Sequence, residues 1–531
     1  MRLLAWICCT LLLALSALTI QAGRRFYNNL TVDAPSLIAS DLNEHSKTDA
    51  VVRNQGRLVD RDGLAWPVDP GSALDNLAWA GDDALILLES MYNVLYDETT
   101  GVSTIDRSML LPKIDPLLGV SGLYERKGYD INVSVSSSLS ALLYESLKDT
   151  GASRAASIVS DYSTGEILAY VSMPSGGDAA DLITEETFMP GALMNIPTAL
   201  AVYRNLGVFD VNAYTDIQYV CTGELRYSDT KVVTCPYAHG QLSIADGFAA
   251  NCNCMFASLA SELGTTDLQN ASEDLGLNKT LQYMNSRVIN VSRYTPAINR
   301  TEFGLGWSGA GQNEDGWDTA INIYQLALMI NSIANGSAMP EGSGSDSDAN
   351  DFMVRQLHAI LGLMDRETGE YEQLSKPENI PKGVFNMTPD EARYLRSLME
   401  QAAGFESVDM SQNIMPGDTS TAEGAQESES AIADAPAPVK TVAAQRFGTR
   451  ARQLGYTAGA KTGAAQVSDT VPLANGEQTA TINYAISWFA GYVKEETISI
   501  IIVAERPTVG TAQDVAVKIL PLALDTAYYQ E

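Results

Sequence analysis

The sequence predicts an α+β fold in which one sheet gathers strands from distant parts of the chain, and three observations carry that expectation. Ser157–Ser160 and Glu166–Val171 are β-rich runs on either side of Asp161-Tyr162-Ser163-Thr164-Gly165, which reads as strand, turn, strand. Ala485–Ala490 and Ile498–Ala504 form a second β pair around the polar turn Val493–Thr497. Between the pairs, Thr198–Tyr203, Ile244–Leu263 and Ala320–Ile333 space apolar residues three and four apart, the helical period. Strands at both ends enclosing a helical middle imply a domain whose terminal strand pairs meet in one sheet.

This domain is expected to span residues 153–531, with residues 23–152 forming a separate amino-terminal segment that has few helix signals. Inside that segment Gly56–Gly63 alternates and closes on Asp62-Gly63, the signature of a hairpin. Two tracts interrupt the longer domain. Glu341–Asp351 is a short loop of Gly, Ser and Asp. The larger tract, 404–445, is centred on Glu406–Pro438, which has seven acidic residues and no Lys or Arg. It has too little apolar surface to order itself and reads as a disordered solvated spacer, or as a docking tail for a basic partner.

Leu3–Ile20 is an apolar stretch of about 18 residues, flanked by Arg2 and the Arg24-Arg25 pair and just long enough to cross a bilayer. Residues 1–22 therefore read as a membrane anchor or signal segment. The length favours a retained single-pass anchor, while the small residues near Ala22 favour cleavage. Either reading places the bulk of the chain outside the cytoplasm.

With 45% hydrophobic and 19% charged residues the chain can bury a sizeable core. Its net charge of −31, from 65 acidic against 34 basic residues, makes DNA, RNA and anionic membrane surfaces unfavourable partners. Cys8 and Cys9 lie in the apolar stretch, as filler or lipidation sites. Cys221 and Cys235 flank a hairpin-like segment and are either a disulfide or two buried thiols. Cys252 and Cys254, two apart, point away from each other and are not expected to bridge. His45, His239 and His358 stand apart from the cysteines in sequence, so no metal centre and no cofactor is expected.

Serine acyl-transfer enzymes of the Ser-x-x-Lys type place the serine at a helix start and the lysine one turn later, where its amine takes the hydroxyl proton. A Ser-x-Asn loop helps relay that proton. A Lys-Thr-Gly strand holds the substrate carboxylate and admits the substrate backbone at the sheet edge, beside an oxyanion hole of backbone N–H groups. This chain has Lys461-Thr462-Gly463 intact. Ahead of it, in order, come Pro190-Gly191, Cys221-Thr222-Gly223, His239-Gly240, Asn251-Cys252-Asn253 before Met255-Phe256, and Gly309-Ala310-Gly311-Gln312; Trp488-Phe489-Ala490-Gly491-Tyr492 follows.

In that order these segments resemble the penicillin-binding proteins, the DD-transpeptidases of peptidoglycan synthesis, and specifically their monofunctional class B members. Arg57–Gly63 looks like the hairpin that follows the anchor in those proteins, and Asp161–Ala169 like their entry strand pair. The resemblance covers nearly the whole chain beyond the apolar stretch. It implies a penicillin-binding-protein/β-lactamase-like transpeptidase domain, an antiparallel sheet with a helical subdomain, preceded by a mainly β pedestal or dimerisation-like domain.

Carried over residue by residue, the resemblance puts Ala192 at the nucleophile, Asn195 at the general base and Asn251 at the serine of the Ser-x-Asn element. Losing the nucleophile of such an enzyme costs on the order of a millionfold in turnover. Asn253, Lys461, Thr462 and Gly463 are retained and, with the backbone N–H of Ala464, are expected to bind ligand without being acylated. The expectation is a catalytically inactive homologue in peptidoglycan assembly. Its expected partners are stem peptides or β-lactams held non-covalently, cell-wall assembly proteins, and the membrane through the amino-terminal helix. Two rivals stand beside it. One is an active DD-transpeptidase with an unorthodox nucleophile, for which Ser228 in Ser228-Asp229-Thr230-Lys231 is the literal Ser-x-x-Lys match; Thr198, two helical turns beyond Ala192, points elsewhere. The other is a reversible sensor of β-lactams or wall fragments.

Overall fold

The computed structural model describes Gln21, Arg24 and residues 58–66, 113–114, 125–126, 129–174, 181–205, 218–283, 287–288, 292–295, 301–312, 319–336, 354–365, 368–373, 380, 384–405, 444–472 and 479–528. Leu3–Ile20, Glu341–Asp351 and residues 406–443 of the acidic tract lie outside them. Among the described residues no helix is long and apolar enough to cross a membrane. The chain divides into two compact units, one drawn from 1–76, 92–134 and 359–376, the other from 77–91, 135–358 and 377–531.

The second unit is organised by its most apolar strand. Its sheet comprises β1 (Arg154–Asp161), β2 (Ile167–Met173), β3 (Ala458–Pro472), β4 (Thr479–Val493) and β5 (Ile498–Glu505), in the order β3-β4-β5-β1-β2 with every neighbour antiparallel. β5 shows no alternation because both of its faces are covered: Ile498, Ile500, Ile501, Ile502 and Val503 are all fully buried. Each such side chain contributes roughly 1.5–3 kcal/mol of burial. The terminal strand pairs meet as the sequence predicts, β5 lying on β1 from Ile498↔Asp161 to Glu505↔Arg154. β3 and β4 run for 15 residues each. β3 was invisible to a β-propensity reading because it is built from Ala, Gly, Lys and Thr, whose small size serves close packing. It is one of the two edge strands of the sheet, β2 being the other.

The helices of this unit are α1 (Ser137–Lys148), α2 (Asn195–Asn205), α3 (Ile244–Ala249), α4 (Asn253–Asp274), α5 (Ile323–Asn335), α6 (Pro389–Ala402), α7 (Gln445–Leu454) and α8 (Ala512–Tyr528), with a further short helix at Glu302–Gly309. α1, α7 and α8 cover one sheet face, where Leu143, Phe447 and Ile519 share a core with Phe489, Ile500 and Ile502. α5 covers the other face, and its Asn331 Nδ2 donates to Ser160 Oγ at 3.3 Å. Helix starts follow side-chain chemistry. Ser136 caps α1, Asn322 caps α5, and Thr388 with Glu391 forms a capping box at α6.

The Asp161–Gly165 turn is held by the Asp161 carboxylate, which accepts from the Ser163 N–H at 2.8 Å and from the Thr497 hydroxyl at 2.8 Å. Gly165 has φ +84°, and a Cβ there would lie 2.5 Å from the Gln356 carbonyl oxygen, so only glycine fits. One expectation is corrected. The helical spacing over Ile244–Leu263 is not one helix but α3 and α4, broken at Asn251, whose φ is +55°. Asn251 takes the left-handed conformation that asparagine tolerates, and Cys252 then caps α4, its sulfur accepting from the Met255 N–H.

The first unit contains a five-stranded sheet in the order Tyr371–Gln373, Ile360–Asp365, Tyr129–Val133, Leu58–Val59, Ala65–Trp66. Leu58–Val59 and Ala65–Trp66 are the predicted hairpin, its turn closed by the Leu64 N–H donating to Asp60 Oδ1 at 2.6 Å and by Gly63 at φ +80°. Leu58 also pairs in parallel with Ile131. Two of the five strands, Ile360–Asp365 and Tyr371–Gln373, come from far along the chain.

Arg204 ties three helices of the second unit together. Its Nε donates to Glu391 Oε1 and its Nη1 to Asp274 Oδ2, both at 2.7 Å. Arg204→Ala is expected to cost roughly 2 kcal/mol by removing three charge-assisted hydrogen bonds, two of them a fork on Glu391, and leaving the mostly buried Glu391 carboxylate without its cation. Arg204→Lys recovers less than half of that, since an ammonium lacks the planar fork. Urea denaturation checks both; a loss below about 0.5 kcal/mol would mean that the network is solvated.

Candidate functional site

Three backbone segments meet at the edge strand, and glycine is what lets them. Met189-Pro190 leads into a 3-10 turn, Gly191–Met194, that continues as α2. Gly191 has φ +55°, and a Cβ there would lie 2.2 Å from the Ala464 carbonyl oxygen of β3. Gly311 faces it: the Gly191 N–H donates to the Gly311 carbonyl at 3.0 Å, and a Cβ on Gly311 would meet the Gly191 oxygen at 1.7 Å. On β3, a Cβ at Gly463 would stand 3.0 Å from the Pro190 oxygen. The Trp488 indole on β4 donates to the Met189 carbonyl at 2.8 Å. The Pro-Gly, Gly-Ala-Gly and Lys-Thr-Gly signals in the sequence thus mark one junction.

Ala192 sits buried in this turn with only a methyl group to offer. Asn195 follows at the start of α2, also buried, and among the described residues neither its amide oxygen nor its nitrogen has a hydrogen-bond partner. Thr198 is engaged elsewhere, its hydroxyl donating to the Gly309 carbonyl at 3.0 Å. Ser228 and Lys231 lie in the turn of the hairpin Glu224–Arg226/Val232–Thr234, where the Lys231 N–H donates to Ser228 Oγ. The Lys231 ammonium lies over the Phe303 ring at 5.1 Å. This pair is a β-turn on the surface, not a helix start.

Asn251 joins the break between α3 and α4 to β3. Its amide nitrogen donates to Thr462 Oγ1 at 3.0 Å, and its amide oxygen accepts from Lys461 Nζ. Lys461 is fully buried; its ammonium also donates to the Phe248 carbonyl at 2.9 Å and lies 4.5 Å from the centre of the Phe248 ring. Burial pulls its pKa from an ordinary 10.5 down to about 7. Asn253 does not join this group: its side chain donates to the Thr234 carbonyl at 3.1 Å and holds the neighbouring hairpin. Of the retained strand residues, Thr462 is half-buried, Gly463 buried and Ala464 exposed.

Gln312, to which the sequence attaches no role, spans the edge of β3. Its carboxamide nitrogen donates to the Ala464 carbonyl and its oxygen accepts from the Gln466 N–H, both at 3.3 Å. On an edge strand that pair of groups is what an added peptide strand would bind. The only available signal was the position of Gln312 directly after Gly311. A separate cleft of about 490 Å³, lined by Arg204, Asp267, Glu273 and Asp274 among others, includes none of the sequence-predicted site residues.

The cysteines take an arrangement that the sequence spacing did not suggest. Cys221 ends the strand Gln218–Cys221, which pairs with Gly240–Ser243, so His239 returns beside it with Nδ1 3.4 Å from the Cys221 sulfur. Cys235 lies 3.8 Å from Cys252 and 3.4 Å from Cys254, sulfur to sulfur. All four thiols are free. The ligand atoms of Cys221, Cys235, His239 and Cys252 lie within 4.8 Å of one another. The expectation of no metal centre rested on the histidines standing apart from the cysteines, and His239 does not. Antiparallel pairing brings it back to Cys221, 18 residues away.

Residues 155–403 match the family profile of the penicillin binding protein transpeptidase domain. A comparison with curated protein sequences finds no match. Among solved structures, the D,D-transpeptidase domain of a peptidoglycan glycosyltransferase from Eggerthella lenta is 17% identical, with a TM-score of 0.55 over 89% of this chain and 98% of that one. Penicillin-binding protein 3 of Mycobacterium tuberculosis is 14% identical, with a TM-score of 0.55 over 89% and 96%. Penicillin-binding protein A of M. tuberculosis, as an imipenem acyl-enzyme complex, is 15% identical, with a TM-score of 0.50 over 77% and 82%. At these identities the structural likeness is one of fold. Residues 155–403 thus carry the profile of the penicillin binding protein transpeptidase domain, and β3 to β5, beyond the matched residues, complete the sheet that β1 and β2 begin.

The state of Lys461 gives a direct test. Its folded pKa lies below its unfolded one, so between about pH 7 and 10 the unfolded chain holds more protons and stability rises with pH; below about pH 7 the burial cost is present in full. The stability of the native chain relative to Lys461→Met is expected to rise by a few kcal/mol across that window, at ~1.4 kcal/mol per pKa unit. Urea denaturation at each pH measures it, and a flat difference would show that the amine is not desolvated.

Proposed function

We propose that this chain is a catalytically inactive homologue of the class B transpeptidases. In this reading it is a membrane-anchored, outward-facing protein that serves peptidoglycan assembly by engaging partner proteins of the wall-building machinery rather than by turning over stem peptides. One observation carries the reading: four of the groups a substrate would use are satisfied from within. The Asn251 carboxamide bridges Lys461 and Thr462, and the Gln312 carboxamide bridges Ala464 and Gln466. Beside them the nucleophile position holds Ala192, which has no proton to give up and no atom to acylate.

Penicillin-binding protein A of M. tuberculosis forms an acyl-enzyme with imipenem. The corresponding reaction here would require a hydroxyl in the Gly191–Met194 turn and a base at position 195, where the buried Asn195 amide takes up no proton at neutral pH. The exposure of Ala464 and Gln466 favours one second reading, a reversible sensor in which a β-lactam or stem peptide displaces the Gln312 amide.

The full-length chain, incubated with a fluorescent penicillin and denatured, is expected to show no covalently labelled band. The loss should be on the order of a millionfold relative to a working serine acyl-transferase. An Ala192→Ser/Asn195→Lys variant run alongside tests whether the nucleophile and base alone are missing. A stable label on the native chain would overturn the inactive reading, and Ser228→Ala would then be the first variant to label.

A further inference from the structure

The geometry points to a structural zinc site formed by Cys221, Cys235, His239 and Cys252, which staples the hairpin region 218–243 to the start of α4. Tetrahedral zinc with Zn–S near 2.3 Å and Zn–N near 2.05 Å requires about 3.8 Å between two sulfurs and about 3.6 Å between sulfur and nitrogen. The Cys235–Cys252 separation is 3.8 Å and the Cys221–His239 Nδ1 separation 3.4 Å. All four ligand atoms lie within 4.8 Å of one another, so the widest pair needs to close by at most about 1 Å.

The surroundings suit a thiolate-rich site. Three of the four residues are buried and Cys235 is half-buried. The Cys254 N–H points at the Cys235 sulfur and the Met255 N–H at the Cys252 sulfur, each at 3.5 Å, so two sulfurs receive backbone donors from the first turn of α4. Tyr237 packs on the His239 ring at 4.6 Å and fixes its plane. Three thiols and one imidazole favour zinc over the oxygen-seeking divalent ions. Binding balances as one Zn²⁺ taken up and three thiol protons released, with no redox change.

Cys254 is assigned outside the set. Its thiol donates to the Val233 carbonyl at 3.6 Å and it is absent from the converging group. A disulfide is the competing chemistry for this cluster, and the observed sulfur separations of 3.4 and 3.8 Å exceed the ~2.05 Å of that bond. The site has a structural consequence. Cys252 follows Asn251 directly, so fixing its sulfur fixes the left-handed turn that delivers the Asn251 amide to Lys461 and Thr462.

Elemental analysis of the full-length chain, loaded with zinc and then freed of excess ion, is expected to give one zinc per chain. Cobalt(II) exchange should produce intense sulfur-to-metal charge-transfer absorption. Cys221→Ser and Cys252→Ser should each reduce zinc content severalfold, whereas Cys254→Ser should leave it unchanged. His239→Cys guards against misreading a folding failure: it should keep zinc and raise the charge-transfer intensity by about a third, as a fourth thiolate joins. Zinc content near zero in the native chain, a Cys221–Cys235 disulfide found by mass spectrometry, or zinc lost on Cys254→Ser but kept on Cys252→Ser would each overturn the assignment.

Discussion

One carboxamide, that of Asn251, holds together the part of the domain where a transpeptidase would work. Lys461 is fully buried on the edge strand, and its ammonium is served by the Asn251 and Phe248 carbonyl oxygens. An amine left without such acceptors in that position would cost several kcal/mol, and so burial drives it toward neutrality. The same carboxamide turns its nitrogen to Thr462. To reach both residues, Asn251 adopts the left-handed backbone that separates α3 from α4. The Gly191–Met194 turn lies against the next residues of the strand, so the break, the turn and β3 form one packed junction.

That junction changes the meaning of the Lys-Thr-Gly motif. In an acyl-transfer enzyme these residues await a substrate carboxylate and a substrate backbone. Here an asparagine amide meets the amine and hydroxyl, and a glutamine amide meets the strand edge. Inside the domain these two amides engage the motif by hydrogen bonding and packing. The Asn195 amide, buried at the start of α2, is a polar group kept in the core without a hydrogen-bond partner among the described residues.

Much of the fold was legible in the sequence because its signals were local. The apolar run of β5, the Asp161–Gly165 turn and the capped, apolar α5 each follow from residues close in the chain. The meeting of β5 with β1 followed from their place at opposite ends of a helical middle. The Lys-Thr-Gly strand and the alanine at position 192 were also readable, since motif order carried them. What escaped was set by contacts distant in sequence. Asn251 ends α3 although the apolar period continues through it, because its amide is drawn to β3 some 210 residues away. Gln312 gained its role only when the edge strand came beside it. His239 was read as isolated because strand pairing, not spacing, returns it to Cys221. The residues around 360–373 join the first unit's sheet through pairing with Tyr129–Val133, which no local pattern announces.

The central claim is that the Lys461 amine, the Thr462 hydroxyl, the Ala464 carbonyl and the Gln466 N–H are occupied by the domain's own side chains. Isothermal titration of the full-length chain with a stem-peptide fragment tests it most directly, run on the native protein and on Gln312→Ala. The account predicts no measurable binding by the native chain and a gain of binding when the Gln312 amide is removed from the strand edge. Tight binding by the native chain that is unchanged in Gln312→Ala would contradict it.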